Sequence, residues 1–301
     1  MEAAERIRQD NVRYHDLAAD DYDEKWGISY GRIGQGQVVG KLRKALGEEP
    51  GPFGRALEIG AGTGYFSLNL LRAGVIGQAV ATDISPGMLS VLDESAEELG
   101  LPVETARCEA SALPFEDGSF DLVFGHAVLH HLPDLEAAFR EFRRVLRPGG
   151  AVAFCGEPSR YGDRLAQLPK RGAYAVAPLW RALMRAAPRG NGDGGDGLSE
   201  TGQLEQAVDV HAFTPAELAT AARRAGFESP RVRGEELAAS LFGWTNRALE
   251  ATADPEQVPY PWRVYAHRGY LALQLVDRLL LEPRLPPALF YNLLLSARVP
   301  G

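Results

Sequence analysis

Short apolar runs alternate with amphipathic stretches of helical length along most of the chain. Seven such runs predict strands, at 55–60, 78–84, 103–108, 120–125, 151–155, 230–233 and 289–298. Consecutive strands separated by crossover helices pair side by side in parallel, because that connection brings each strand back onto the same sheet. The pattern therefore predicts an α/β fold with a doubly wound, mostly parallel, seven-stranded sheet.

The intervening helices carry recognisable end signals. Ser85 followed by Pro86 predicts a capped start, and Gly100 stands where that helix should end. Thr214, followed by Pro215 and then Glu217, predicts another strong start. The clearest helix begins at Asp134, and its apolar positions share one face: Leu135, Ala138, Phe139, Phe142, Val145 and Leu146. Arg147-Pro148-Gly149-Gly150 is expected to end it.

The strand–helix alternation also predicts how the chain divides. Residues 1–47 are polar and helical and precede the sheet, so we expect an N-terminal helical segment followed by one domain at 48–301. Two helical insertions interrupt that domain, at 160–212 and 236–286, and the first contains a glycine-rich stretch at 188–202 that predicts a surface loop. We expect the choice of substrate to reside in these insertions.

Net charge, cysteine content and hydropathy limit the partners and the compartment that we expect for this chain. The chain has 32 Lys and Arg against 40 Asp and Glu, a net charge of −8, which opposes broad binding of nucleic acid phosphates. Cys108 and Cys155 are expected to be buried free thiols in a reducing compartment. The charged start and the lack of a run of about 20 apolar residues predict a cytoplasmic protein without stable membrane insertion.

A glycine-rich turn follows the first strand. Leu57-Glu58-Ile59-Gly60-Ala61-Gly62-Thr63-Gly64 leads directly into a helix, and such a turn lets backbone N–H groups approach a ligand closely. Asp83 ends the second strand, where an acid can accept the two hydroxyl groups of a nucleoside ribose. Together they predict a nucleoside-containing cofactor without specifying which one.

Four linked segments resemble the class I S-adenosylmethionine-dependent methyltransferases, in their UbiE-like, small-molecule branch. They are LEIGAGTGYFS at 57–67, ATDISPGML at 81–89, EASALPFEDGSFDLV at 109–123 and HAVLHHLPDLEAAFREFRRVLRPGG at 126–150. The resemblance covers about a third of the chain. It implies a Rossmann-like fold, S-adenosyl-L-methionine as cofactor and methyl transfer to a small acceptor, for which an apolar character is a further expectation.

The resemblance also implies roles for individual residues. Residues of the glycine turn would surround the methionine and ribose part of the cofactor: Glu58, Gly60, Ala61, Gly62 and Gly64. Asp83 would hold the ribose, and Ile84, Met88, Glu109 and Ala110 would lie against the adenine, with Glu109 where relatives usually have aspartate. Gly125 and His126 would line the methionine end. The N-terminal segment would cap the site through Tyr22, with Trp26 and Tyr30 as further candidates.

Three histidines after the fourth predicted strand are candidates for a general base. His126, His130 and His131 are delivered to the cofactor edge of the sheet, and histidine titrates near neutral pH. Structural packing is the alternative role for each. His211 is a weaker candidate. No carboxylate or cysteine accompanies the trio at a recognised ligand spacing, so no metal is expected.

Other interpretations remain open at this point. A non-catalytic cofactor-binding module for assembly or regulation would keep the glycine turn and Asp83. An NAD-dependent oxidoreductase would also share them, but it would require a G-x-G-x-x-G turn, and position 65 is tyrosine. The sequence also leaves open which acceptor atom is methylated, whether a histidine acts as the base and whether the chain forms a homodimer. The aromatic and apolar residues of 262–281 predict core packing, a dimer face or an apolar acceptor channel.

Overall fold

A seven-stranded sheet forms the centre of the protein. The computed structural model describes residues 2–19, 22–23, 28–189 and 211–301. The strands are β1 (Phe53–Ile59), β2 (Ile76–Asp83), β3 (Val103–Arg107), β4 (Phe120–His126), β5 (Leu146–Pro158), β6 (Glu228–Glu235) and β7 (Asn292–Arg298). The α-helices of the described residues are α1 (Glu2–Ala18), α2 (Arg32–Leu46), α3 (Tyr65–Arg72), α4 (Pro86–Leu99), α5 (Leu135–Val145), α6 (Arg160–Met184), α7 (Pro215–Arg224), α8 (Ala238–Glu250) and α9 (Tyr260–Val276).

The strand order confirms the predicted fold class. The order is β3-β2-β1-β4-β5-β7-β6, and the pairs β1–β2, β1–β4, β2–β3 and β4–β5 are parallel. The direction of winding reverses between β1 and β4, as it does in Rossmann-like, doubly wound sheets. Ligands of such sheets bind outside the carboxyl ends of the strands at this reversal.

The predicted helix starts are confirmed by their capping contacts. Ser85 accepts a hydrogen bond from the backbone N–H of Met88, and Gly100 ends α4 in the left-handed conformation. Asp134 accepts from the backbone N–H of Ala137. Thr214 and Glu217 form a reciprocal capping box. These caps hold each helix start at a fixed place after its strand.

The structure differs most from the predicted strand boundaries at β5 and β7. Residues 147–150 were expected to form a break after α5, but they belong to β5, which starts at Leu146. The N–H of Gly149 donates to the carbonyl oxygen of Val299, so this stretch is tied to the end of the chain. The last strand starts at Asn292 because Pro287–Leu289 form a short 3-10 turn before it.

The chain separates into two compact units. The sheet unit comprises the described residues of 1–157, 198–233 and 294–301, and the helical unit those of 158–197 and 234–293. Apolar residues of α2, α3 and the central strands form the main core of the sheet unit. The helical unit has its own core, in which Ala173, Ala177 and Trp180 of α6 pack with Ala248 and Leu249 of α8. The division into a cap at 1–47 and a domain at 48–301 stays a prediction.

The burial of the two cysteines and the length of the helices also bear on the predictions. Neither Cys108 nor Cys155 is in a disulfide, but only Cys155 is fully buried, since Cys108 follows β3 and is partly exposed. Burial still raises the pKa of the Cys108 thiol to about 11. Within the described ranges, none of the helices combines the length and the apolar character that crossing a bilayer requires.

Candidate cofactor and methyl-transfer site

Glycines give the turn between β1 and α3 a backbone that neighbouring groups can approach closely. Gly60 and Gly64 have φ values of 62° and 88°, which favour glycine. A Cβ on Gly60 would lie 2.3 Å from Cγ2 of Val128, and one on Gly64 would lie 2.8 Å from Cγ of Leu92. At Gly62, by contrast, a Cβ would meet no atom within 4 Å. The turn therefore packs tightly at both ends and leaves space beside its middle.

Asp83 ties this turn to the end of β2. The backbone N–H of Gly62 donates to its Oδ2 over 2.9 Å, and the N–H of Ser85 donates to its Oδ1 over 2.9 Å. Ala61, which is buried, donates its N–H to the carbonyl oxygen of Thr82. Asp83 is 8% exposed. Each carboxylate oxygen has a second lone pair, so the side chain can accept further hydrogen bonds from a ligand.

Glu58 is the most deeply buried acid of the turn. It is 2% exposed, and its Oε2 accepts hydrogen bonds from both the backbone N–H and the hydroxyl of Ser67 in α3. Burial raises the pKa of Glu58 to about 8, although the bonds from Ser67 oppose that shift and the nearby Asp83 adds to it. A cation beside this carboxyl group would favour its ionised form.

The N-terminal helix is attached to the carboxyl end of β2 through Asp16. Its Oδ1 accepts from the hydroxyl of Ser85 over 2.5 Å and from the backbone N–H of Gly87 over 3.0 Å. Tyr22 packs in a small cluster that contains Ala18, Ala19 and the fully buried Met88. Tyr22 and Met88 are thus brought together, as expected if the N-terminal segment covers the site.

A second contact joins the N-terminal segment to the glycine turn. The hydroxyl of Tyr30 donates to the carbonyl oxygen of Thr63 over 2.8 Å, and the Thr63 hydroxyl donates to Asp23 over 2.5 Å. Burial and the nearby Asp23 raise the pKa of Tyr30 above its ordinary value, so its hydroxyl keeps its proton. Trp26, the other aromatic candidate, lies outside the described residues.

A cavity of about 700 Å³ opens between α1 and the ends of β2 and β3. Its walls include Ile84 and Glu109, two residues assigned to the adenine end, together with Arg8 of α1. Nε of Arg8 lies 2.9 Å from Oε2 of Glu109, and Arg107 donates from Nε to the carbonyl oxygen of Ile84. Ala110 is buried beside Glu109 in the chain. The cavity has both the polar groups and the apolar surface that a purine needs.

Gly125 and His126 end β4 next to β1. A Cβ on Gly125 would lie 2.7 Å from the carbonyl oxygen of Ile59, so only glycine fits there. The imidazole of His126 stacks on the ring of Phe66, with centroids 4.8 Å apart and planes 23° from parallel. A packing role therefore accounts for at least one face of His126.

His130 is held by a buried carboxylate that the sequence did not single out. Glu157, at 0% exposure, accepts from the backbone N–H groups of Val128, Leu129 and His130, and its Oε2 lies 2.9 Å from Nδ1 of His130. An ionised carboxylate can only accept, so Nδ1 of His130 carries the proton of this contact. The only signal for Glu157 is an acid near the carboxyl end of a buried strand.

Two further histidines, His131 and His211, lie next to His130. The ring centroid of His131 lies 3.9 Å from that of His130 and 5.7 Å from that of His15 in α1. His211 donates its backbone N–H to the carbonyl oxygen of His130. Within the described ranges, no group of His, Cys, Asp and Glu side chains is arranged to hold a metal ion.

The geometry fits the cofactor that the resemblance implies. Space beside Gly62, the acceptor oxygens of Asp83, the buried acid Glu58 and the cavity at Ile84 and Glu109 all belong to the carboxyl edge of β1, β2 and β3. Backbone N–H groups suit a carboxylate, and acids suit an ammonium or sulfonium. The structure adds Arg8, Asp16, Asp23 and Glu157, which sequence analysis missed because each acts through a partner distant in the chain.

Comparisons with known proteins agree with this geometry. Residues 57–154 match the family described as "Methyltransferase domain". The chain is 34% identical over 206 residues to a malonyl-[acyl-carrier protein] O-methyltransferase of Halorhodospira halophila, covering 67% of this chain and 64% of that protein, slightly under two thirds. It is 32% identical over 242 residues to the protein of the same name in Methylococcus capsulatus, covering 73% of this chain and 78% of the relative.

A solved structure shares the fold. Phosphoethanolamine N-methyltransferase 2 of Haemonchus contortus, in complex with S-adenosylhomocysteine, aligns with a TM-score of 0.60 and 18% identity. The alignment covers 98% of this chain and 59% of that one. The fold, the glycine turn joined to Asp83 and the extended identity to the Methylococcus protein all point to the same family. This chain belongs to the class I S-adenosylmethionine-dependent small-molecule methyltransferases.

Proposed function

We propose that this protein transfers the methyl group of S-adenosylmethionine to an oxygen atom of a small acceptor. The observation that carries the proposal is the junction of the glycine turn with Asp83, where Gly62 donates to the carboxylate over 2.9 Å. Two relatives that align over most of this chain are named for O-methyl transfer, which supports oxygen as the acceptor atom. An apolar character of the acceptor stays a prediction.

The proposed binding roles follow from the contacts of each side chain. The methionine portion would lie in the open space beside Gly62, Asp83 would hold the ribose, and Ile84, Met88 and Glu109 would face the adenine. Tyr22 and α1 would exclude water, which strengthens electrostatic interactions in the site. When bound, S-adenosylmethionine supplies a sulfonium-activated methyl group that is open to in-line displacement.

His130 is the proposed base for a hydroxyl acceptor. Glu157 fixes its ring and its tautomer, so Nε2 would take the proton of the hydroxyl as the new oxygen–carbon bond forms. A carboxylate acceptor arrives without a proton and would need no base. His126 and His131 stay as alternative bases, although His126 is engaged in stacking on Phe66.

Methyl transfer can be measured directly on the full chain. The protein would be incubated with methyl-labelled S-adenosylmethionine and a panel of hydroxyl and carboxyl acceptors, while product label and S-adenosylhomocysteine are both quantified. We expect equal amounts of the two products with at least one oxygen acceptor. Tight cofactor binding without turnover on any acceptor would instead favour the non-catalytic, regulatory module, which the relatives do not favour.

The role of Asp83 is tested by Asp83→Ala with Asp93→Ala as its control. Asp93 is an exposed acid of α4, whereas Asp83 is proposed to make charge-assisted hydrogen bonds to the ribose. Losing them is expected to weaken S-adenosylhomocysteine binding by ~1.5–3 kcal/mol, and the control should bind as the unmodified protein does. If folded Asp83→Ala binds S-adenosylhomocysteine as tightly as the unmodified protein does, the ribose assignment is contradicted.

A further inference from the structure

The helical unit contains a helix whose outer face is apolar along its whole length. The inner face of α6 is made of small residues and one tryptophan, with Gly162, Ala166, Ala173, Ala177 and Trp180 buried. Part of this face packs on α8. The long apolar side chains of α6 take no part in this packing and face solvent.

The exposed side chains form a continuous stripe. They are Tyr161, Leu165, Leu168, Val176, Leu179 and Leu183, and the last two are 74% and 73% exposed. With Gly172, their positions advance by three or four residues, so all lie on one face of a helix about 33 Å long from first to last. Single exposed leucines are ordinary, but a row of this length marks an interaction surface.

A row of arginines follows one edge of the stripe. Arg160, Arg164 and Arg171 each come immediately before a stripe position, and Arg164 and Arg171 are exposed. Residues 158–189 contain seven Lys and Arg against one acid, Asp163, in a chain whose net charge is −8. This segment is therefore locally basic, and three of its arginines lie along one edge of the exposed apolar stripe. The pairing favours an anionic partner that also offers apolar surface.

We infer that the exposed face of α6 binds an anionic lipid surface at the level of its headgroups. Helices that lie in the plane of a membrane combine an apolar face with arginines or lysines at its edge. The stripe is a ridge of protruding side chains on a single helix, which a fluid layer of lipids can accommodate without a preformed groove. A second copy of the chain is disfavoured, because pairing two α6 helices would bring two sets of seven basic residues together.

Vesicle co-sedimentation of the full chain tests this surface. We expect binding to phosphatidylcholine vesicles that contain about 30% phosphatidylglycerol, weak binding to pure phosphatidylcholine, and loss of binding when salt is raised from about 0.1 M to about 0.5 M. Leu179→Gln/Leu183→Gln and Arg164→Gln/Arg171→Gln should each weaken binding about tenfold or more. Circular dichroism verifies that each variant is folded.

The chain offers a matched control on another helix. Ile33 of α2 is 75% exposed, so Ile33→Gln removes an equally accessible apolar side chain outside α6 and should leave vesicle binding unchanged. S-adenosylhomocysteine affinity should be unchanged in every variant, which separates this inference from the proposed activity.

Three results would overturn the inference. The first is equal binding to neutral and anionic vesicles, or none to either. The second is binding to soluble polyglutamate that matches vesicle binding and is insensitive to the leucine substitutions, since charge alone would then act. The third is a wild-type dimer in sedimentation velocity that Leu179→Gln/Leu183→Gln dissociates, because the stripe would then join two copies of the chain.

Discussion

Single residues of the site are controlled by burial and by one or two partners each. Glu58 keeps a proton near neutral pH because it lies at 2% exposure and, among the described residues, accepts side-chain hydrogen bonds from Ser67 alone. His130 keeps one tautomer because Glu157 accepts from its Nδ1. Sequence identifies the residue types at these positions, but the partner that sets each protonation state is visible only in the fold.

The raised pKa of Glu58 predicts how stability varies with pH. The folded protein holds this proton up to a pKa of about 8, whereas the unfolded chain releases it near the ordinary glutamate pKa of 4.5. The folded state thus binds more protons in that window, and the free energy of unfolding should fall as pH rises from about 5 to 8. Glu58→Gln should flatten this dependence in urea unfolding measured at several pH values.

An exposed glutamate supplies the control for that comparison. Glu97→Gln, in α4, should keep the pH dependence of the unmodified protein, because every other titrating group is shared. If Glu58→Gln and Glu97→Gln have the same slope between pH 5 and 8, then Glu58 does not titrate in that window.

His130 can be separated from its neighbour by kinetics. If a hydroxyl acceptor is turned over, His130→Gln should lower kcat by about 10²-fold and remove the acidic limb of the pH–rate profile, with little change in cofactor affinity. His131→Gln is the matched control and should retain that limb. A loss of cofactor binding with an unchanged kcat in His130→Gln would assign the residue to packing.

At the scale of whole elements, the attachment of α1 decides whether the site is covered. Asp16 accepts from both Ser85 and Gly87 at the start of α4, so one side chain makes two polar contacts between the N-terminal helix and the helix that follows β2, beside the apolar packing of Ala18 with Met88. The helix itself was predicted from its polarity and length. Its attachment was not, because Asp16 and Ser85 are 69 residues apart and no local pattern joins them.

Removing that attachment should loosen α1 without unfolding the sheet. Asp16→Ala is expected to cost ~1–2 kcal/mol of S-adenosylhomocysteine affinity and to speed trypsin cleavage after Arg8 and Arg13. Asp10→Ala, another acid of α1, should do neither. Cleavage that is equally slow in Asp16→Ala and in the unmodified protein would mean that other contacts hold the helix.

How accurately each element was predicted depends on whether its signals are local in the sequence. The helices at 86–99 and 215–224 were anticipated nearly to the residue, since Ser85, Gly100 and Thr214 are local caps. The start of β5 was missed because Pro148 and the two glycines after it normally break a structure, whereas here pairing with the end of the chain keeps them in a strand. Long-range pairing of this kind leaves no local signal.

At the scale of the whole molecule, the net charge of the chain conceals a local difference in charge. A net charge of −8 argues against anionic partners for the chain as a whole, but residues 158–189 carry seven basic residues and one acid. The four motifs of the family all lie in the sheet unit, so the resemblance specified the fold and the cofactor edge while leaving the helical unit without an assigned role. The proposed lipid-binding surface belongs to that second unit.

Calorimetric titration of the full chain with S-adenosylhomocysteine, beside the same titration with NAD, tests the central claim most directly. Both ligands contain an adenosine ribose, but only S-adenosylhomocysteine carries an amino-acid portion, its homocysteine, of the kind that the glycine turn is proposed to hold. We predict saturable binding of S-adenosylhomocysteine and none of NAD. Binding of NAD alone, or of neither ligand, would contradict the assignment of this site to methyl transfer.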